Sequence, residues 1–145
     1  MKVGTLVAAL VGGIVMFGLG FLFFGVLFAD YFKANTIEYP GLVKDPPVVW
    51  AIFLFNLAWA WLIAWVVDRS NLGGWAEGAK AGAIIMFVLA LGIDLEFQAF
   101  MNIHKDLAPL ILHIGVVILM GAVAGAVIGL VLGYFNKGAS ETPPN

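Results

Sequence analysis

The stretch GAVAGAVIGLVLG, residues 121–133, carries a glycine at every fourth position. In water, glycine destabilises a helix by about 1 kcal/mol relative to alanine, so four glycines in register call for a physical reason. Residues four apart lie on nearly the same face of a helix, and small residues let two helix backbones approach closely within a membrane. We therefore predict that this face is a packing groove, formed by Gly121, Gly125, Gly129 and Gly133.

The sequence leaves open which helix fills that groove. Glycines also cluster in the first apolar segment, at positions 12, 13, 18, 20 and 25, and before the third, at positions 74, 78 and 82. The groove has the spacing of a glycine zipper, and it suits packing inside one bundle as well as a seam between protomers. A pore-lining role is the least favoured alternative.

The composition predicts a membrane protein. Of 145 residues, 63% are hydrophobic and 11% are charged, and the mean hydropathy is +1.04. Soluble domains carry roughly 25% charged residues, so most of this exterior must face lipid. The chain has no cysteine and a net charge of −2, which excludes disulfides and thiolate metal sites and argues against a nucleic acid partner.

Four apolar stretches predict four transmembrane helices, at about 5–28, 48–67, 79–100 and 109–135. Each is long enough for a hydrocarbon core of about 30 Å. We expect an all-α, integral membrane bundle formed by one domain, residues 1–136, with a polar tail at 137–145. The basic residues favour cytoplasmic termini, because four (Lys2, Arg69, Lys80, Lys137) would lie inside and three (Lys33, Lys44, Lys105) outside.

Polar residues gather toward one end of the predicted bundle, the outer face. They are Asp30, Asp94, Glu96, Gln98, His104 and His113. Ionisable residues within spans are costly and suggest function, although they also hydrogen-bond neighbouring helices. A structural role, a proton site and a divalent metal site (zinc or manganese) all remain open. Axial haem ligation is disfavoured, because both histidines lie near one edge. No metal or cofactor is required by the sequence.

Asp94, Gln98 and Asn102 are four residues apart in turn, and we predict that they share one face of the third helix. Asp94 and Glu96 are about 200° apart on a helix, so they cannot contact the same neighbour. We expect one to face the bundle while the other reaches toward lipid head groups.

Asn56 lies in the middle of the second span, among Phe53, Phe55, Trp59 and Trp61. An amide at that depth needs a hydrogen-bond partner. The simplest partner is a backbone carbonyl. The alternative is an aromatic pocket with one polar anchor, suited to a lipid, quinone or pigment.

We expect no enzymatic activity, because Thr5 is the only serine or threonine inside any span and no nucleophile motif is present. The leading hypothesis is a helix-packing protein, either a homo-oligomer or an accessory subunit of a larger membrane complex. The alternative is a small transporter or binding protein for a proton, a metal ion or an apolar ligand. Lipid is the expected partner in either case.

Four segments carry a resemblance to a known family: GGIVMFGLGFLFFGVLFADYF (12–32), FNLAWA (55–60), GAKAGAIIMFVLALGIDLEF (78–97) and MGAVAGAVIGLVLG (120–133). The chain resembles small, uncharacterised four-helix membrane proteins of bacteria, grouped as a domain of unknown function. The resemblance implies four spans and a location in the bacterial inner membrane. It implies no activity and no site residues.

Overall fold

The computed structural model describes residues 2–140, with side chains described for residues 2–136. Its elements are α1 (Val3–Gly20), a π-helical segment (Phe21–Leu27), α2 (Ala29–Asn35), α3 (Val49–Arg69), α4 (Gly74–Phe100) and α5 (Ala108–Ser140). Four stretches are long and apolar enough to cross a membrane: Val3–Leu27, Val49–Arg69, Gly74–Phe100 and Ala108–Asn136. The predicted all-α fold with four long apolar helices is confirmed.

Two helix boundaries differ from the prediction. Helix α4 begins at Gly74 rather than at 79. Its first turns are polar but helical, and they contain an ion pair between Lys80 and Glu77 at 2.9 Å. Helix α5 continues to Ser140, into the predicted polar tail. The last five tail residues, 141–145, lie outside the described residues.

The helices pack as a bundle in which α4 and α5 share the most extensive contact, followed by α1 with α3 and α1 with α5. The largest fully buried apolar side chains come from all four helices: Met16, Ile63, Met86, Ile128 and Leu132. Burial of apolar side chains inside the bundle therefore holds all four helices together.

The glycine groove of α5 receives α4 of the same chain. An ideal Cβ placed on Gly78 would stand 2.1 Å from the carbonyl oxygen of Gly125, and one on Gly82 would stand 2.0 Å from that of Gly121. Gly129 meets the carbonyl of Gly74 in the same way. The two backbones are thus in direct contact, which no residue with a Cβ allows. Gly133 lies at the margin of this contact, because an ideal Cβ placed on it would stand 3.9 Å from the nitrogen of Gly74, an ordinary van der Waals distance.

A short turn joins α3 to α4. Asn71 adopts a left-handed conformation (φ 51°). Its N–H donates a hydrogen bond to the carbonyl of Asp68 at 3.3 Å. The N–H of Leu72 bonds the carbonyl of Val67 at 3.1 Å, while Leu72 packs on the core. This is the Schellman pattern, in which asparagine is an accepted alternative to glycine. It reverses the chain and makes α3 and α4 antiparallel.

Polar contacts tie the helices at both ends of the bundle. At the N-terminal end, where α1 begins and α3 ends, Asp68 accepts hydrogen bonds from Lys2 Nζ (3.1 Å) and Thr5 Oγ1 (2.9 Å). At the opposite end, which we call the loop end, Ile37 donates its N–H to the carbonyl of Ile103 at 2.7 Å. The loops before α3 and α5 are thereby held together.

A matched pair of alanine substitutions tests the glycine contact. Gly125→Ala would place a Cβ 2.2 Å from the carbonyl oxygen of Gly78, so α4 must move away. We expect a loss of about 1–3 kcal/mol in the free energy of unfolding, measured by thermal or denaturant unfolding in detergent. Gly115→Ala, on the same helix, has nothing within 4 Å of its Cβ and should leave stability unchanged or higher. Equal effects of the two substitutions would contradict the contact.

Candidate functional site

One acid and one histidine of the predicted polar cluster form a hydrogen bond between helices. Nδ1 of His113 on α5 lies 2.7 Å from Oδ2 of Asp94 on α4. The side chains are 35% and 10% exposed, respectively. The imidazole also packs against two aromatic rings, with centroids 5.3 Å away at Phe24 and 6.4 Å away at Phe32. Asp94 therefore fixes one edge of the ring, and Phe24 and Phe32 pack around it.

The other members of the predicted cluster do not join this pair. Asp30 is exposed on α2, and Glu96 and Gln98 are exposed on α4. His104 lies in the loop before α5, where it bridges to Thr36. Its Nδ1 is buried with no partner among the described residues. Within residues 2–136, no three histidine, aspartate or glutamate side chains come together as a metal site.

The helical face predicted for Asp94, Gln98 and Asn102 is wrong at its last member. Helix α4 ends at Phe100, so Asn102 lies in the following loop, where its backbone carbonyl accepts a hydrogen bond from Tyr39 Oη at 2.8 Å. The pairing of the two loops at this end removes Asn102 from the helix.

Asn56 is 2% exposed, and only one of its two polar side-chain atoms has a hydrogen-bond partner among the described residues. Its Nδ2 donates to the carbonyl of Ile52, one turn earlier in α3, at 2.8 Å. Its Oδ1 is buried and has no hydrogen-bond partner among the described residues. An unsatisfied buried acceptor costs about 1–3 kcal/mol, so an additional partner for this oxygen would be stabilising.

Asn56 and His113 both line one large cavity, of about 850 Å³. The cavity lies between the first span, α3 and α5, and its walls are mostly apolar and aromatic. Its lining consists of Phe17, Gly20, Phe21, Phe24, Gly25, Pro47, Val49, Ile52, Phe55, Asn56, Trp59, His113, Val117 and Met120. Cavities of this size and chemistry are typical of small-molecule sites.

The π-helical segment forms part of the wall. Its wider turn is closed by a bond from the N–H of Phe28 to the carbonyl of Phe23, at 2.8 Å. Such segments are rare and often occur at functional sites. The wall also contains Gly20 and Gly25, where no side chain fills the space.

The helix register shows that the cavity is elongated. Gly12 and Gly20 of α1 contact Ile128 and Met120 of α5, while Gly13 contacts Leu57 of α3. Asn56 is therefore level with about residue 126 of α5. His113 lies thirteen residues nearer the loop end, or roughly 20 Å at 1.5 Å per residue. The two polar groups thus occupy opposite ends of an apolar chamber.

A second, smaller hollow of about 550 Å³ lies at the N-terminal end, lined by Lys2, Trp61, Trp65, Asp68 and Arg69. Its carboxylate is already bonded to Lys2 and Thr5. The polar groups of this hollow therefore serve to connect α1 to α3.

Sequence reasoning raised the aromatic pocket around Asn56 only as an alternative, and it did not connect His113 to it. It also missed the π-helical segment. The available signal was the run of aromatics and glycines in FGLGFLFFG, residues 17–25. In that run, bulky aromatic residues lie next to glycines, which have no side chain.

No family model, no curated protein and no solved structure matches this chain. The resemblance to an uncharacterised bacterial family stays a prediction.

Two neighbouring acids on α4 provide a test of the Asp94–His113 hydrogen bond. Asp94→Asn removes the carboxyl group of this hydrogen bond between helices, and we expect it to lower the free energy of unfolding by about 1–3 kcal/mol. Glu96→Gln, two residues away on the exposed face, should change it by less than about 0.5 kcal/mol. Unfolding in detergent at neutral pH measures both. Similar losses for both variants would argue against this assignment.

Proposed function

We propose that this protein is a multi-pass membrane protein that binds a small apolar or amphiphilic molecule in the cavity between its first span, α3 and α5, without catalysing a reaction. The observation that carries the proposal is the cavity itself. It is large, lined mainly by apolar and aromatic residues, and has one polar group toward each end.

Membrane insertion is supported by the outside of the bundle. Large apolar side chains are more than half exposed on each of the four helices, for example Ile14, Leu54, Ile84 and Leu130. A bundle dissolved in water would leave all of this apolar surface hydrated, at about 25 cal/mol per Å². Lipid chains remove that penalty.

Ligand binding is supported by the size, the lining and the access of the cavity. Its volume is about 850 Å³ and its walls are mostly apolar and aromatic, as is typical of sites for small molecules. Phe21, Val49 and Phe55 of its lining are also exposed on the outside of the bundle, so the cavity is open to an apolar molecule from the side.

The helix-packing hypothesis now has less to support it, because the groove that motivated it is filled by α4 of the same chain. A homo-oligomer or an accessory subunit remains a separate prediction. A metal-ion carrier has no ligand set within the described residues. An apolar ligand is therefore the best supported of the alternatives that the sequence raised.

Two glycines of α1 give a matched test of binding. Gly20 lines the cavity, whereas Gly18 is exposed and has nothing within 4 Å of its Cβ. Gly20→Phe should fill the chamber, and Gly18→Phe should add a ring only to the outside. Native mass spectrometry of protein extracted with its surrounding membrane should show a bound molecule in the wild type and in Gly18→Phe. That molecule should be lost in Gly20→Phe.

The proposal fails if the wild type carries no bound molecule, or if both phenylalanine variants retain it equally. Thermal unfolding of both variants shows that each is folded before its bound mass is interpreted.

The finer prediction of location, the bacterial inner membrane with cytoplasmic termini, is supported only by the distribution of basic residues. Lys2, Arg69 and Lys80 belong to the N-terminal end, and Lys33, Lys44 and Lys105 to the loop end. Because the chain has no cysteine, single cysteines report orientation directly. In intact bacterial cells, a membrane-impermeant maleimide should label Lys44→Cys and leave Ser70→Cys unlabelled. The reverse pattern would invert the orientation.

A further inference from the structure

We propose that the cavity selects long amphiphiles with an uncharged, hydrogen-bonding head group, such as an alcohol or amide, over those with a carboxylate head. This inference rests on the proposed function. His113 is the residue that meets the head group, and Asp94 acts through it as a positioning residue.

The placement of His113 assigns it to the head group. It lies in the second turn of α5, close to the loop end, whereas Asn56 lies roughly 20 Å deeper by helix register. The wall between them is apolar and includes Phe21, Ile52 and Met120. An elongated molecule therefore fits with its polar end at His113 and its apolar body pointing toward the middle of the bundle.

The Asp94–His113 hydrogen bond places an acid directly beside the histidine that lines the cavity. Nδ1 of His113 lies 2.7 Å from Oδ2 of Asp94, so Nε2 is the ring nitrogen left for a ligand. A hydroxyl or amide head group can both donate and accept a hydrogen bond, so it can pair with Nε2 in either tautomer of the ring.

The same charge balance disfavours a carboxylate head. Asp94 already brings one acid to His113, so a carboxylate head would place a second acid beside the same ring. None of the described residues lining the cavity is a lysine or arginine. A buried charge without a partner is strongly unfavourable, whereas an alcohol or amide oxygen adds no charge.

The test is a competition between two probes with the same chain, hexadecanol and hexadecanoic acid. Equal amounts are added at neutral pH to purified full-length protein stripped of bound lipid. The ratio of the two bound masses is read by native mass spectrometry. Comparing this ratio between variants cancels the different partition of the two probes into detergent.

We expect the wild type to hold mainly the alcohol. Asp94→Asn removes the acid that would repel a carboxylate head, and should shift the ratio toward the acid by about tenfold. Glu96→Gln removes an exposed carboxylate from the same helix and should leave the ratio at its wild-type value. A purely structural Asp94 would change total binding but not the ratio.

The inference is overturned if Asp94→Asn and the wild type show the same ratio, or if the wild type prefers the acid. A different result, in which neither probe gives an adduct that Gly20→Phe removes, instead overturns the proposed function. The two failures are therefore distinguishable.

Discussion

The backbone contact between α4 and α5 is the constraint on which the rest of the molecule depends. Gly78 and Gly82 lie directly on Gly121 and Gly125, with no side chain between the two helices. Because the helix axes approach this closely, Asp94 and His113 can reach each other near the loop end of the same pair. This contact covers one face of α5, and the remaining buried surface of α5 packs against α1 and α3.

The two halves of the bundle are packed differently. Toward the N-terminal end, small residues such as Ala8, Gly12, Ala60 and Ala64 allow α1 and α3 to pack closely. Toward the loop end, their place is taken by aromatic rings and by glycines that leave space, and the π-helical segment widens the first span. The aromatic rings at the loop end leave a cavity between the helices, whereas the small residues at the N-terminal end let the helices meet.

The polar groups of the chamber differ in how they are satisfied. His113 is held on one edge by Asp94, and Phe24 and Phe32 pack around its ring. Asn56 bonds only its own helix and leaves one oxygen without a described partner. The polar pair near the loop end and the apolar wall beyond it give the proposed ligand a direction, with its head toward the loop end.

The sequence by itself determined the all-α class and the four apolar helices, because apolar length and glycine periodicity are local properties of the chain. It also identified the packing face of α5, since residues four apart share a face whatever the partner is. Only the tertiary structure decided that α4 of the same chain fills this face, that Asp94 rather than Glu96 turns inward, and that Asn56 and His113 share one cavity. Those outcomes depend on how each helix is rotated and shifted against its neighbours. Residues far apart in the chain set these relations jointly, and no local pattern contains them.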